Sequence, residues 1–347
     1  MTPQNDPMRR GWMGIFAAVL FFCLLLPSAE AKSSKSLHIY SIDVEGGQST
    51  LLVSPSGKTL LIDAGWPGKL GADRVVTLAR QLKIKKLDYV LITHFHHDHV
   101  GGIPNLVKQI KVGTFVDHGA NREDSDITRK DYEAYQKVIA GSKHIVAKPG
   151  DHIHIKGLSV VVLTANGQHV AHALPGAGQA NPFCAGEPDW TVDHSENAYS
   201  LGTLTTFGKF RFLDLGDLTK KKEAELMCPN NPIGSVDLFL VSHHGLDQSN
   251  SKALVDAVHP RVAIMNNGAR KGASPEAWQI VHDSPGLAAL WQLHYAEPGG
   301  KEHNVVDDFI ANTETSSDGN HIEVTAHPDG TFTVKNSRNQ FERTYAP

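Results

Sequence analysis

The chain lacks an excess of positive charge. It has 33 lysines and arginines against 37 aspartates and glutamates, which gives a formal net charge of −4. Proteins that attract nucleic acid over long range usually carry a basic patch or stripe. This sequence has no basic stripe with interleaved aromatic residues. The composition therefore gives no electrostatic support for nucleic acid as a partner, although it leaves smaller substrates open.

Long apolar runs are also scarce, and the one present lies near the N-terminus. Two arginines precede the 13 apolar residues of Gly14–Leu26, and small residues with Ala29 and Ala31 in an A-x-A arrangement follow. This order is typical of a secretory signal peptide, because a spanning helix needs about 20 apolar residues. We expect a signal peptide over residues 1–31, cleaved after Ala31, with an uncleaved anchor as the alternative. The mature protein, residues 32–347, is then secreted or periplasmic without a stable membrane span.

Cysteine is the third scarce feature, with three in the whole sequence. Cys23 lies in the apolar run and would leave with the signal peptide. Cys184 and Cys228 remain, an even number in an oxidising compartment. A disulfide between them and two buried thiols are both compatible with the sequence.

The order of predicted elements repeats approximately. Hairpin-like strands from Leu37 onward precede a predicted helix at Gly71–Leu82 and a short buried strand at Asp88–Ile92. Later segments again have hairpin patterns, followed by strands that end in histidine or asparagine. Strands that alternate with helices are typical of α/β folds. We predict two β-then-α halves packed sheet against sheet with helices outside, which is a four-layer αββα sandwich in one domain.

Histidine, by contrast, is abundant, and its spacing indicates metal. The chain has 20 histidines, four of them in the segment THFHHDHVGG. Side chains alternate along an extended segment, so His94, His96 and Asp98 can face one point, with His99 beside them. Imidazole and carboxylate suit Zn²⁺, or Fe and Mn where oxygen ligands dominate. Four such groups would crowd one ion, so we expect two divalent ions, His94 and His96 on the first and Asp98 and His99 on the second.

Two later strand ends offer further ligands. LDLGDLT places Asp217 at a strand tip, where one carboxylate can contact both ions. VSHHG places His243 and His244 at another strand tip. Ligands gathered from several strand ends are common in α/β folds.

The order H-x-H-x-D-H, then G-D, then a strand-end histidine resembles the metallo-β-lactamase superfamily. The nearest likeness is to the hydrolase domain of ComEC-type competence proteins and its free-standing relatives, whose D-V-G-Q-G-D-S opening corresponds here to Asp43–Ser49, DVEGGQS. The resemblance runs from about Leu37 to Val334 and implies a fold of the metallo-β-lactamase type. It implies that Asp217 bridges the two ions and that Asp63 steadies the histidine loop. It also implies His243 as the last ligand of the second ion, with His244 as a substitute.

The chain departs from that pattern at several positions. Many members of the superfamily have a third histidine on the first ion, and the aligned position here is Asn197. His194, three residues earlier, is the alternative ligand. Gln48 stands where the relatives' opening motif has aspartate, and Ala273–Pro275 replaces a G-H-P segment.

Such a centre predicts hydrolysis by a hydroxide shared between two metal ions, because coordination lowers the pKa of water. Asp98 and Asp217 would be the catalytic carboxylates. A phosphodiester or related phosphoester is the first substrate hypothesis, with Asn267, Arg270 and Lys271 as candidates for binding phosphate. Hydrolysis of an acyl bond, as in β-lactamases and lactonases, is the alternative. An inactive binding module is the third hypothesis.

Overall fold

The computed structural model describes residues 36–314 and 318–347. The predicted signal peptide, residues 1–31, lies outside the described residues. Within the two described ranges, no helix has both the length and the apolar character needed to cross a bilayer.

The described residues form two nine-stranded sheets and seven α-helices. The strands, in chain order, are β1 (Leu37–Ser41), β2 (Thr50–Val53), β3 (Thr59–Ile62), β4 (Lys86–Leu91), β5 (Lys111–Asp117), β6 (Lys143–Val146), β7 (His152–Ile153), β8 (Ser159–Ala165), β9 (Gln168–His169), β10 (Gly202–Phe207), β11 (Phe210–Asp214), β12 (Leu238–Leu240), β13 (Val262–Met265), β14 (Ala289–His294), β15 (Ile310–Asn312), β16 (Ile322–Ala326), β17 (Phe332–Asn336) and β18 (Glu342–Tyr345). The helices are α1 (Leu70–Gln81), α2 (His97–Val100), α3 (Ile103–Leu106), α4 (Asp126–Ile139), α5 (Lys220–Met227), α6 (Lys252–Val258) and α7 (Pro275–His282).

Both sheets change from antiparallel to parallel pairing along their width. The first has the order β18-β17-β16-β1-β2-β3-β4-β5-β6, and its pairs become parallel from β3 to β6. The second has the order β15-β14-β13-β12-β11-β10-β8-β7, with β9 on β8, and is parallel from β11 to β15. The predicted pair of β-then-α halves is therefore confirmed. The C-terminal hairpin β16–β17 joins the first sheet beside β1, where Leu37 pairs with Ala326.

Alternation of apolar side chains along the strands creates the layers. In β1, Leu37 and Ile39 belong to the core between the sheets, whereas Tyr40 belongs to the core under α1, α3 and α4. The apolar faces of α5, α6 and α7 cover the outer side of the second sheet. The four-layer αββα prediction is confirmed.

The parallel strands place the loops that matter at one end of the sandwich. Strands β3, β4 and β5 of the first sheet and β11, β12 and β13 of the second each lead into a polar loop. Carboxyl ends of parallel strands are where α/β folds commonly place ligands.

The long segment after β9 is tied to the second half of the molecule. Cys184 and Cys228 form a disulfide with a Cα–Cα distance of 5.9 Å. Nearby, the Asn181 amide donates to the carbonyl oxygens of Met227 and Ala253, at 3.1 and 2.8 Å. The sequence left the pairing of these cysteines open, and the structure shows that they are bonded.

Candidate metal centre

The histidine loop begins extended and then turns helical. His96 is extended, with φ −67° and ψ 150°, and α2 starts at the next residue. The predicted alternation therefore ends at His96, because the backbone N–H of His99 bonds the carbonyl of His96 at 3.0 Å. Asp98 and His99 reach the centre from the first turn of a helix instead.

Four buried side chains gather at the meeting point of the loops. Ligand atoms of Asp98, His99, Asp217 and His244 all lie within 4.8 Å of one another. His244 Nε2 is 3.0 Å from Asp98 Oδ2, and His99 Nε2 is 3.2 Å from both Asp217 Oδ2 and His244 Nε2. Two ligands of a tetrahedral zinc ion, each at 2.0–2.2 Å, lie about 3.4 Å apart. The spacing of these four groups therefore fits one divalent ion.

The structure changes the assignment at the strand-end histidine pair. We predicted His243 for this group and His244 as the substitute, but His244 is the one beside Asp98 and His99. His243 Nε2 lies 3.4 Å from Asp217 Oδ2 and 3.4 Å from Asn197 Nδ2. Both histidines have φ 55°. This left-handed backbone sends the two rings to different sides of the centre, and a sequence pattern does not reveal it.

A second group of donors lies on the other side of Asp217. His94 Nε2 is buried, has no hydrogen-bond partner among the described residues and lies 3.8 Å from Asp217 Oδ2. The rings of His94 and His96 are 4.7 Å apart, centre to centre. Asn197 is buried here, and its Oδ1 likewise lacks a partner within the described ranges. His194 is exposed, so Asn197 rather than His194 lies with this group of donors.

Supporting contacts hold the histidine loop in place. Asp63 Oδ2 lies 2.7 Å from His99 Nδ1, and the same carboxylate accepts hydrogen bonds from the Thr93 backbone and hydroxyl at 2.9 and 2.7 Å. These contacts direct His99 Nε2 toward Asp217. Gly216 has φ 58°, and a Cβ there would lie 2.8 Å from Thr93 Cβ. The Asp217 loop can therefore lie against the histidine loop only with glycine at this position.

The electrostatics of the centre favour a cation. Burial raises the pKa values of Asp98 and Asp217, but His99 and its neighbours outweigh burial and hold both well below the usual range. Burial lowers the pKa of His99, yet the surrounding carboxylates raise it well above normal. Burial keeps the pKa of His94 low, so that its imidazole is neutral. Anionic carboxylates beside imidazole nitrogens, of which His94 Nε2 has no partner among the described residues, are a donor set for divalent metal.

Of the three predicted phosphate-binding residues, Asn267 and Arg270 are not at the centre. Asn267 is buried and donates to the carbonyl oxygen of His294 at 2.8 Å. The side chain of Arg270 is 76% exposed and pairs with Glu297 at 2.9 Å. Lys271, the third candidate, does lie at the centre, because its ammonium contacts Asp98 and lies 4.9 Å above the Trp66 ring.

Sequence reasoning missed two glutamates that support the loop. Glu123 Oε2 lies 2.7 Å from His96 Nε2. Glu196 is fully buried and accepts hydrogen bonds from the backbone N–H groups of Phe95 and Arg122, at 3.1 and 2.5 Å. Glu196 directly precedes Asn197, and this position beside a candidate ligand is the one local feature that could have indicated its role. Glu123 lies in a polar loop, and no feature of the neighbouring sequence indicates its role.

Two features of the opening motif are structural. Asp43, Glu45 and His294 form a second acidic group, but Arg74 bonds both carboxylates, at 2.8 and 3.1 Å, and offsets part of their charge. Gln48 donates to Asp214 at 3.4 Å. Aspartate at that position, as in the relatives' motif, would place two carboxylates together in the interior.

Comparison with known proteins agrees with this geometry. Residues 42–181 match the family model of the metallo-beta-lactamase superfamily. This part of the chain therefore matches a metallo-beta-lactamase domain. It is 24% identical to recombination protein 2 of Haemophilus influenzae over 72% of this chain and 26% of that protein. It is 25% identical to ComE operon protein 3 of Bacillus subtilis over 74% of this chain and 31% of that protein. The predicted superfamily and competence-type relatives are confirmed.

The chain spans between a quarter and a third of the length of these two relatives. Among solved structures, it is similar to the metallo-beta-lactamase fold protein YhfI of Bacillus subtilis, with a TM-score of 0.45 and 14% identity over 75% of this chain and 96% of that one. The family model that matches residues 42–181 is named for metal-dependent enzymes, and the donor groups of the centre suit a divalent metal.

Proposed function

We propose that the protein is an exported hydrolase that cleaves a phosphodiester or related phosphoester with two divalent metal ions, preferably Zn²⁺. The observation that carries the substrate class is Lys271, whose ammonium lies directly beside the donor group of Asp98, His99, Asp217 and His244. An ammonium group at the edge of a metal centre favours an anionic substrate such as a phosphate ester.

Each residue of the centre would have its own role in binding the ions or the substrate. His94 and His96 would hold one ion, Asp98, His99 and His244 would hold the other, and Asp217 would be available to both. When bound, such ions lower the pKa of water and polarise a phosphoryl oxygen. Lys271, which contacts Asp98 in the structure, would donate a hydrogen bond to a phosphoryl oxygen of the substrate. The amide of Asn197 would donate to substrate from the opposite side.

Two observations support export. The N-terminal pattern over residues 1–31 is typical of a signal peptide, and the Cys184–Cys228 disulfide suits an oxidising compartment. A small or lipid-linked phosphoester is preferred over DNA because the net charge is −4. The names of the two relatives concern recombination and a competence operon, but this chain spans 26% and 31% of them.

The test is a substrate screen with purified protein loaded with Zn²⁺, Mn²⁺ or Fe²⁺. We expect turnover of bis(p-nitrophenyl) phosphate to exceed that of p-nitrophenyl phosphate, a lactone and a chromogenic β-lactam, and D217N to abolish it. The proposal fails if only the lactone or the β-lactam is cleaved, which would support the acyl-bond alternative.

Variants of Lys271 and of its neighbour Arg270 provide a matched test of the proposed substrate class. K271A should lower kcat/KM for the phosphodiester by about 10- to 150-fold, the equivalent of about 1.5–3 kcal/mol for a hydrogen bond to a charged group. R270A removes a neighbouring charge that points to Glu297 and should have little effect. Equal effects of the two variants would contradict a direct role for Lys271.

A further inference from the structure

The three segments that lead into the parallel strands β4, β5 and β6 are rich in cations. Residues 80–87 contain four lysines or arginines, and residues 107–113 and 137–143 contain two each. All eight side chains are exposed. No aspartate or glutamate lies in these segments, although the whole chain has a net charge of −4. Positive charge is therefore concentrated locally in a way that the total composition conceals.

Strand pairing brings these cations to one edge of the first sheet, which we call the basic edge. The parallel strands β4, β5 and β6 begin with Lys86, Lys111 and Lys143. Lys86 and Lys111 are direct partners in the register, and neighbouring strands lie about 4.8 Å apart. Asp88, the carboxylate that follows shortly after Lys86, is already bonded by Lys58 at 2.8 Å. The basic edge therefore presents several cations side by side.

The first strand of the fold begins at the same edge. Strands β1 and β3 are both antiparallel to β2, and β3 is parallel to β4. β1 therefore runs in the same direction as β4, and its first residue, Leu37, lies at the edge where Lys86 begins β4. The sequence just before Leu37 adds Lys32 and Lys35, shortly after the apolar run Gly14–Leu26. The basic edge is thus where the folded chain joins its N-terminal segment.

We propose that the basic edge docks on an anionic lipid membrane and directs the metal centre away from the lipid. Clusters of lysine and arginine attract anionic lipid headgroups. The three segments contain no aromatic residue, and none of the exposed large apolar side chains of the described residues belongs to them. The contact is therefore electrostatic and lies on the membrane surface, so salt should weaken it.

The position of the basic edge favours a membrane over a nucleic acid. β4 runs from Lys86 to Leu91, and His94 follows at the other end of the strand, about 25 Å away at about 3.3 Å per residue. The phosphates of a nucleic acid bound at the basic edge would lie that far from the metal centre. A membrane has only to hold and orient the protein, and the place where the N-terminal segment joins the fold also favours this. If the proposed function holds, this orientation favours a small, soluble phosphoester over a lipid-linked one.

The first experiment measures binding of the full-length protein to lipid vesicles by co-sedimentation. We expect binding to vesicles of equimolar phosphatidylglycerol and phosphatidylcholine. Vesicles of phosphatidylcholine alone report any contribution of the apolar run Gly14–Leu26, which all variants share, and should bind much less protein. Raising NaCl from about 0.1 M to about 1 M shortens the Debye length from about 10 Å to about 3 Å and should release the protein from the anionic vesicles.

Two triple variants of equal charge locate the contact. K86Q/K111Q/K143Q should weaken binding to the anionic vesicles by about 100-fold, because each cation near an anionic surface contributes about fivefold. K69Q/K148Q/K301Q is the matched control and should bind normally. It removes three exposed lysines from the metal-centre end of the molecule, where they follow β3, β6 and β14.

Chemical acetylation of lysines, read by mass spectrometry, tests the same contact in the wild-type protein. Anionic vesicles should protect Lys86, Lys111 and Lys143 from the reagent and leave Lys69 and Lys301 reactive. Equal protection at both ends of the molecule would overturn the proposed orientation.

The other outcomes are equally distinct. Equal losses in the two triple variants would refute the basic edge as the site of contact. Binding to duplex DNA but not to anionic vesicles would refute the membrane as the partner, and binding to neither would refute the basic edge as an interaction surface. K86Q/K111Q/K143Q should hydrolyse soluble bis(p-nitrophenyl) phosphate as the wild type does. A wild-type protein that is inactive but binds vesicles would refute only the proposed function.

Discussion

Replacing Asp63 with asparagine should weaken the second metal position without rearranging the fold. Asp63 is fully buried. Its Oδ1 accepts the N–H of Thr93, and its Oδ2 contacts both His99 Nδ1 and the Thr93 hydroxyl. In D63N, the oxygen of the new amide would still accept the hydrogen bond from the Thr93 N–H. The NH₂ group of the same side chain would then lie against His99 Nδ1–H. Two donors then face each other, and His99 can relieve this only by moving its proton to Nε2, the atom that faces Asp217.

The expected loss of metal affinity in D63N follows from this conflict between two hydrogen-bond donors. Loss of a partner that orients a ligating histidine typically costs 10- to 100-fold in metal affinity, or about 1.4–2.7 kcal/mol. We therefore expect the dissociation constant of the second zinc ion to rise by about that factor, measured by chelator competition. The first ion should be affected much less, because His94 and His96 do not contact Asp63 in the structure.

Asp117 provides a closely matched control. It is also buried at the end of a strand of the first sheet and accepts hydrogen bonds from Tyr135, His144 and Gly119 at 2.7–2.8 Å. D117N should lower the free energy of unfolding of the metal-free protein as D63N does, but leave zinc binding unchanged. Unchanged zinc affinity in D63N, or an equal loss in D117N, would refute this reasoning.

Two further predictions concern stability. The disulfide closes 44 residues, so C184S/C228S should lower the free energy of unfolding by about 4 kcal/mol in denaturant titrations, and an unchanged midpoint would contradict this. Burial raises the pKa of Glu223 to about 7 from 4.5, so its proton stabilises the folded state at low pH and this contribution is lost as pH rises from about 4.5 through 7. E223Q should therefore remove up to about 3 kcal/mol of the pH dependence of stability, measured on metal-free protein, and a pH profile parallel to that of the wild type would count against it.

Local patterns were sufficient for the parts of the centre that depend on strand order. The histidine loop follows β4 in the first sheet and Asp217 follows β11 in the second, and each strand pairs in parallel with a neighbour in its own sheet. The sequence pattern could not show which of the two strand-end histidines faces the other donors, because the backbone conformation decides this. The left-handed pair at His243 and His244 turned the second histidine inward.

Long-range contacts explain the other differences. In the turn after β13, Gly268 N–H bonds the carbonyl of Lys271, and Lys271 faces Asp98 while Arg270 points outward. Glu123 meets His96 across 27 residues, and no spacing rule connects them. The disulfide depended on how the segment after β9 packs against α5 and α6, which composition alone does not specify.

The donor groups come from loops of both sheets, with His94 and His99 from the first and Asp217 and His244 from the second. An ion held by both halves favours the folded chain by mass action, by about 2.7 kcal/mol at a concentration 100 times its dissociation constant. The lifetime of the protein would then depend on the local supply of the metal. Protein molecules made when the metal is scarce would unfold more often, and proteases would degrade them first. The amount of the protein, as well as its activity, would then depend on the metal supply.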